Sequence, residues 1–96
     1  MKKGYWVSAY REIKDHKKFA SYAKIAGPAI IEAGGNFLVR GLPTKTFEYG
    51  LTERTVVVEF DSIEAALDAH ESPEYIRALR ALGDGAIRDF RIIEGT

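Results

Sequence analysis

The sequence predicts an α+β fold with the element order β-α-β-β-α-β. Three observations predict it. Apolar residues recur at spacings of three and four over residues 19–33 and again over 63–79, which marks amphipathic helices. Four short segments rich in β-branched and aromatic residues lie outside those stripes and read as strands. Glycine, proline and helix-capping residues separate the segments. In this order the strands form one antiparallel sheet with both main helices on one face, the ferredoxin-like arrangement. All 96 residues, 1–96, are expected to form a single domain.

"GYWVSAYRE" is the first strand. Asp15 is placed to cap a helix that runs to about Ala33, with Phe19, Tyr22, Ala23, Ala26, Ile30 and Ala33 on its apolar stripe. Gly27-Pro28 interrupts that stripe and predicts a kink, because proline removes a backbone donor and crowds the preceding turn. Gly34-Gly35 ends the helix. "NFLVRG" is the second strand, and "KTFEYG" is expected to continue it past a bend at Gly41. "RTVVVEF" is the third strand and the clearest. Asp61 or Ser62 caps the next helix, "SIEAALDAHE", and "SPEYIRALRAL" adds a further helical segment. In that segment Ser72 suits an N-cap, Pro73 the first helical position and Glu74 the positive helix end. Gly83 and Gly85 stop it, and "AIRDFRIIEG" is the last strand.

The alternation along the third strand puts Val56, Val58 and Phe60 under the helices. The same parity assigns Val7, Ala9, Phe37, Val39, Phe90 and Ile92 to that face. The opposite face then carries Trp6, Ser8, Tyr10, Leu38, Arg40, Val57, Glu59, Asp89, Arg91 and Ile93. Such a face is too apolar for open water and too charged for a dry core, so a partner covering it around a small pocket is expected. The parity depends on register, since one bulge swaps every residue beyond it.

Composition excludes several classes. Lysine plus arginine equals aspartate plus glutamate, 14 each, so no broad field attracts nucleic acid or an anionic membrane. The absence of cysteine removes disulfides and thiolate chemistry and favours a cytoplasmic location. No apolar run approaches the ~20 residues of a membrane-spanning helix, and the N-terminus lacks the pattern of a signal peptide. His16 and His70 fall on separate elements without a metal-ligand spacing, so no metal site and no cofactor are expected. Phosphate-loop and nucleophile-elbow motifs are absent as well.

Four segments in order, "GYWVSAY", "GGNFLVRG", "VVVEFDSIEAA" and "SPEYIRAL", resemble the bacterial family called domain of unknown function 1330. The resemblance covers nearly the whole chain. It implies a dimeric α/β barrel, in which two sheets pack face to face in a homodimer. It also implies kinship with cofactor-free monooxygenases, isomerases and haem-dependent enzymes of the same superfamily.

Candidate site residues follow from chemistry and expected position. Arg40 is the preferred ligand contact, since a guanidinium clamps a carboxylate with two parallel bonds; the competing reading is a salt bridge to Glu59 or Asp89. His70 and Glu59 are the candidates for moving a proton in catalysis. Trp6, Ser8, Tyr10 and Tyr75 are candidate substrate-binding residues, with core packing as the alternative for the aromatic ones. Three readings remain open. One is a cofactor-independent enzyme acting on a small, partly apolar acid or aromatic compound. The second is a non-catalytic module that binds or senses a small molecule. The third is a structural dimer without a ligand, in which Arg40, Glu59, Asp89 and Arg91 pair among themselves and fill the barrel.

Overall fold

A computed structural model describes residues 1–96. The elements are β1 (Gly4–Ile13), α1 (His16–Glu32), β2 (Asn36–Gly41), β3 (Thr55–Phe60), α2 (Ile63–His70), α3 (Pro73–Leu82) and β4 (Ala86–Glu94). The sheet order is β2-β3-β1-β4, and every neighbouring pair is antiparallel. This is the expected ferredoxin-like α+β fold, with the second helical stretch divided into α2 and α3. No helix is long and apolar enough to cross a membrane.

The helix starts form as their residues dictate. The Asp15 carboxylate accepts from the backbone N–H of Lys17 and of Lys18, each at 3.0 Å, and so satisfies two of the donors that open α1. Ser62 caps α2 by accepting from the Ala65 N–H at 3.0 Å. Ser72 works in both directions. Its hydroxyl donates to the Ala69 carbonyl at 2.9 Å and accepts from the Tyr75 N–H at 3.2 Å, joining the end of α2 to the start of α3. The "HESPEY" stretch is therefore a two-helix junction built by a capping serine. Helix α1 continues through Pro28 to Glu32. Gly34 then takes a positive φ of 93°, a conformation that favours glycine, and the chain turns into β2.

The core lies between the sheet and the three helices. Its largest fully buried side chains are Trp6, Tyr75, Phe60 and Val58. Trp6 donates its indole N–H to the Ala66 carbonyl of α2 at 2.8 Å. Gly4 lets this end of the sheet meet α2 closely, because a Cβ there would lie 2.4 Å from the Ser62 carbonyl oxygen.

Two strands differ from the expected facing. In β1, Trp6 pairs with Val58 and Ile92, and Ser8 with Val56 and Phe90. Trp6, Ser8 and Tyr10 therefore lie under the helices, while Val7 and Ala9 point away. In β2 the register slips between Phe37 and Val39. This bulge leaves Leu38 exposed, turns Val39 outward, and brings Arg40 onto the helix-facing side with Phe37. The facing of β3 and β4 is as expected. "KTFEYG" does not extend β2: residues 42–54 form a loop with a turn in which the Gly50 N–H bonds to the Phe47 carbonyl at 2.9 Å. Leu42, Phe47, Tyr49 and Leu51 are exposed on it.

The face away from the helices carries Tyr5, Val7, Ala9, Val57, Glu59, Asp89, Arg91 and Ile93. The Tyr5 hydroxyl donates to the Glu59 carboxylate at 3.0 Å. The Arg91 guanidinium meets the Asp89 carboxylate through two bonds of 3.0 and 3.1 Å. This face remains mixed in composition, but it does not hold Arg40.

Candidate functional site

A half-open cavity of about 50 Å³ lies between α1 and the sheet. Its floor is Ser8, Val56 and Val58, and the faces of Trp6, Tyr10, Phe19, Tyr22, Phe37 and Phe90 supply most of its walls. Along α1, Ala23, Ala26 and Gly27 keep the helix surface low over it. A Cβ at Gly27 would meet nothing within 4 Å, so packing does not require this glycine. Glycine in a helix interior costs about 0.5–1 kcal/mol relative to alanine. Its effect here is to widen the space against the cavity.

Three arginines, Arg40, Arg54 and Arg88, share this lining, and no carboxylate does. None of the three forms a salt bridge; the ion pairs of the chain lie elsewhere. Each guanidinium lies over a ring instead: Arg40 at 4.2 Å from the Phe37 centroid, Arg54 at 5.4 Å from Phe19, and Arg88 at 5.0–5.5 Å from Tyr22, Phe90 and Tyr10. Arg40 is exposed and marks the mouth, whereas Arg88 is partly buried.

Arg88 donates to the Tyr22 hydroxyl at 3.1 Å, and the Tyr22 and Tyr75 hydroxyls are 2.7 Å apart. Tyr75 is fully buried and has no other side-chain partner. If Tyr22 donated to Tyr75, the Tyr75 proton would be stranded in the core. The satisfied arrangement has Tyr75 donating to Tyr22, which frees the Tyr22 proton for the cavity. Burial pushes the Tyr22 and Tyr10 hydroxyls above the usual phenol range, so both keep their protons at neutral pH. Ser8 is 4% exposed, and its Oγ has no hydrogen-bond partner.

Of the residues singled out from sequence, Trp6, Ser8, Tyr10 and Arg40 are brought together at this cavity. Tyr75 stands behind Tyr22. Glu59 lies on the opposite face, bonded to Tyr5. His70 lies behind the wall, its ring centroid 5.7 Å from that of Trp6, 5.2 Å from Tyr75 and 5.3 Å from Phe90. Arg88 and Tyr22 were not singled out. The signal for Arg88 was present, because it sits two residues from Phe90 and shares its facing.

Burial holds the His70 imidazole below its ordinary value of 6.5, reinforced by the Arg88 charge and opposed by Glu71. The last turn of a helix favours a cation, so burial and Arg88 outweigh the helix dipole here. A folded-state value below the unfolded one means that the unfolded chain takes up the proton first as pH falls. Stability from this group is complete above about 6.5 and is lost as pH falls from there toward the lower folded-state value. The His70 ring protons, followed by NMR, should titrate below 6.5, and His70→Gln should flatten this part of the acid limb of stability. A midpoint above 6.5 would contradict the assigned environment.

An antiparallel sheet under three helices, with a small arginine-lined aromatic cavity beneath α1, defines an α+β ferredoxin-like protein. Known structures of this fold include SnoaB, a cofactor-independent oxygenase from Streptomyces nogalater, similar to this chain with a TM-score of 0.67 and 13% identity over 100% of this chain and 95% of that one. The chain belongs to the family described as Domain of unknown function (DUF1330), whose model matches residues 3–96. It is similar to RPA0582, a protein of unknown function from Rhodopseudomonas palustris (TM-score 0.71, 18% identity, covering 97% of this chain and 80% of that one). It is also similar to a dimeric ferredoxin-like protein of unknown function from Thermobifida fusca (TM-score 0.65, 15% identity, covering 97% and 91%). A search of curated protein sequences gives no match.

Proposed function

We propose that the cavity beneath α1 takes a small, partly apolar acid or aromatic compound. On this reading the protein is a cytoplasmic homodimer and a cofactor-independent enzyme of monooxygenase or isomerase type. The observation that carries it is the pairing of aromatic walls with arginines that lack acidic partners in one partly enclosed space. The SnoaB likeness supports the oxygenase class, and the dimeric structural neighbour supports pairing. Arg40 at the mouth steers an acid toward the cavity, and the aromatic walls flank the rest of the molecule. Neither His70 nor Glu59 reaches the cavity, so the chemistry falls to groups that polarise the substrate by donating hydrogen bonds.

One observation favours a second reading, non-catalytic binding: no residue lining the cavity is a base at neutral pH. Small aromatic acids added to the protein in an oxygen electrode, with mass analysis of the products, separate the two. Protein-dependent oxygen uptake or an isomerised product supports the enzyme, and saturable binding without turnover supports the module. Gly27→Leu, which projects a side chain into open space, should keep the fold and lose binding in either case. Undiminished binding in that variant removes the cavity as the site. Sedimentation of the protein at micromolar concentration should give a dimer, and a monomer alone would count against the paired assembly.

A further inference from the structure

We propose that Ser8, Tyr22 and Arg88 form one anchor point for an anionic oxygen, a carboxylate or phenolate on a flat aromatic body. The inference rests on the cavity being the ligand site and deepens that reading. It assigns the charge-reading role to Arg88 inside the cavity rather than to Arg40 at its mouth.

The first observation is the Ser8 hydroxyl. It is nearly fully buried, it lines the cavity, and it is the one buried side-chain polar atom in the chain without a partner. Native proteins rarely strand a buried hydroxyl, and each such case calls for an occupant or a reason. The second observation is independent. Arg88 is charged and partly buried, yet its hydrogen bond goes to a neutral phenol, and no carboxylate pairs with it. The third is the tyrosine pair, its hydroxyls 2.7 Å apart: the arrangement that satisfies the buried Tyr75 proton has Tyr75 donating, which leaves the Tyr22 proton for the cavity.

Position ties these together. Ser8 pairs with Phe90 across β1 and β4, and Arg88 pairs with Tyr10 one step along the same two strands. Side chains two residues apart on paired strands share a face, so Ser8, Tyr10, Arg88 and Phe90 make one patch of it. Tyr22 of α1 closes over this patch through its bond to Arg88. The result is a cluster of hydroxyl and guanidinium donors with no carboxylate among them, walled by rings. An oxygen with negative charge and more than one lone pair complements it, and the rings suit a flat body attached to that oxygen. A neutral amide would bring its own donors into a place that already has too many.

The enclosed volume limits the geometry. About 50 Å³ is well below the ~150 Å³ of a cavity that holds benzene. The anionic tip therefore enters this part, and the ring occupies the open side between Gly27 and the rim arginines.

The test uses benzoate and its neutral counterpart benzamide as probes, titrated near neutral pH into the isotope-labelled protein and followed by backbone amide NMR shifts. Benzoate should bind with a Kd of about 1 mM or below and shift amides around Ser8, Gly27 and Phe90. Benzamide should bind about 10- to 100-fold more weakly, as expected when a charge-assisted hydrogen bond is lost. Arg88→Gln should erase the preference, while Arg80→Ala, exposed on α3 and outside the cavity lining, should leave it intact.

Should Arg88→Gln fail to fold, Ser8→Ala still decides. It removes the stranded hydroxyl, so the unliganded variant should gain about 4 °C or more in Tm while benzoate binds more weakly. A fall in Tm would mean that a resident water already satisfies the hydroxyl, and would overturn the proposal. Equal affinity for benzoate and benzamide would also overturn it, while leaving the cavity as a binding site. Failure of both probes to bind would overturn this inference and the proposed function together.

Discussion

A Trp6→Ala variant is expected to lose about 3–5 kcal/mol of stability, the usual cost of truncating a buried tryptophan. Small domains have about 5–15 kcal/mol in total, so the variant sits at the edge of unfolding at room temperature. The structural reasons are specific. The indole is 2% exposed and packs against Phe60, Tyr75, Phe90 and His70 at centroid distances of 5.1, 4.9, 5.3 and 5.7 Å. It touches side chains of β3, α2, α3 and β4 at once, so its loss opens a void bounded by most of the fold. Its N–H bond to the Ala66 carbonyl is a smaller part of the cost, because water that enters the void can replace it.

Urea unfolding checks this. Since m is about 1–1.5 kcal/mol per molar for a chain of this size, the midpoint should fall by roughly 2–5 M with the slope unchanged. Trp6 is the one tryptophan in the chain, so the variant must be followed by circular dichroism rather than fluorescence. Trp6→Phe keeps a ring in place and should recover more than half of the loss. A midpoint shift below about 1 M for the alanine variant would show that the indole is not the centre of the core.

The same residue shows how far the sequence could be read. Element order and helix starts were legible because they depend on local chemistry: Asp15, Ser62 and Ser72 each cap the helix that follows them. The facing of β3 was legible because Val56, Val58 and Phe60 are apolar without exception. In β1 both parities are plausible: Trp6, Ser8 and Tyr10 on one side, Tyr5, Val7 and Ala9 on the other. Weighing polarity favours Val7 and Ala9 for the core, since they carry no polar atom. Ring area decides otherwise, because Trp6 and Tyr10 have far more apolar surface to bury, and the Trp6 N–H finds a helix carbonyl.

The β2 bulge leaves no mark in "NFLVRG", and it alone decides that Arg40 faces the cavity side. One candidate group thus moved as a block. Trp6, Ser8, Tyr10 and Arg40 were expected together on one face, and they are together, on the face opposite to the one expected. Glu59 kept its expected facing and was separated from them. Tyr22 was read as part of an apolar stripe, and its hydroxyl gains meaning only through Arg88, more than sixty residues away in sequence.

That long-range contact sets the second large effect, an asymmetry between two tyrosines that share one hydrogen bond. Tyr22→Phe strands two groups: the buried Tyr75 hydroxyl and the Arg88 N–H that donated to Tyr22. At about 1–3 kcal/mol for each stranded buried group, discounted for the partial exposure of Arg88, the loss should be about 2–4 kcal/mol. Tyr75→Phe removes one donor and leaves Tyr22 still accepting from Arg88, so about 1 kcal/mol is expected.

The double variant is the sharper measurement. With both hydroxyls gone, the Tyr75 group that Tyr22→Phe would strand no longer exists, and Arg88 alone lacks its partner. Tyr22→Phe combined with Tyr75→Phe should therefore be more stable than Tyr22→Phe alone, an inversion that additive side-chain losses cannot produce. Equilibrium urea unfolding of the three variants reads this order directly. If Tyr75→Phe proves the costlier single change, Tyr22 is not the group on which both Tyr75 and Arg88 depend, and the cavity keeps the Arg88 charge without the Tyr22 proton that this arrangement leaves for it.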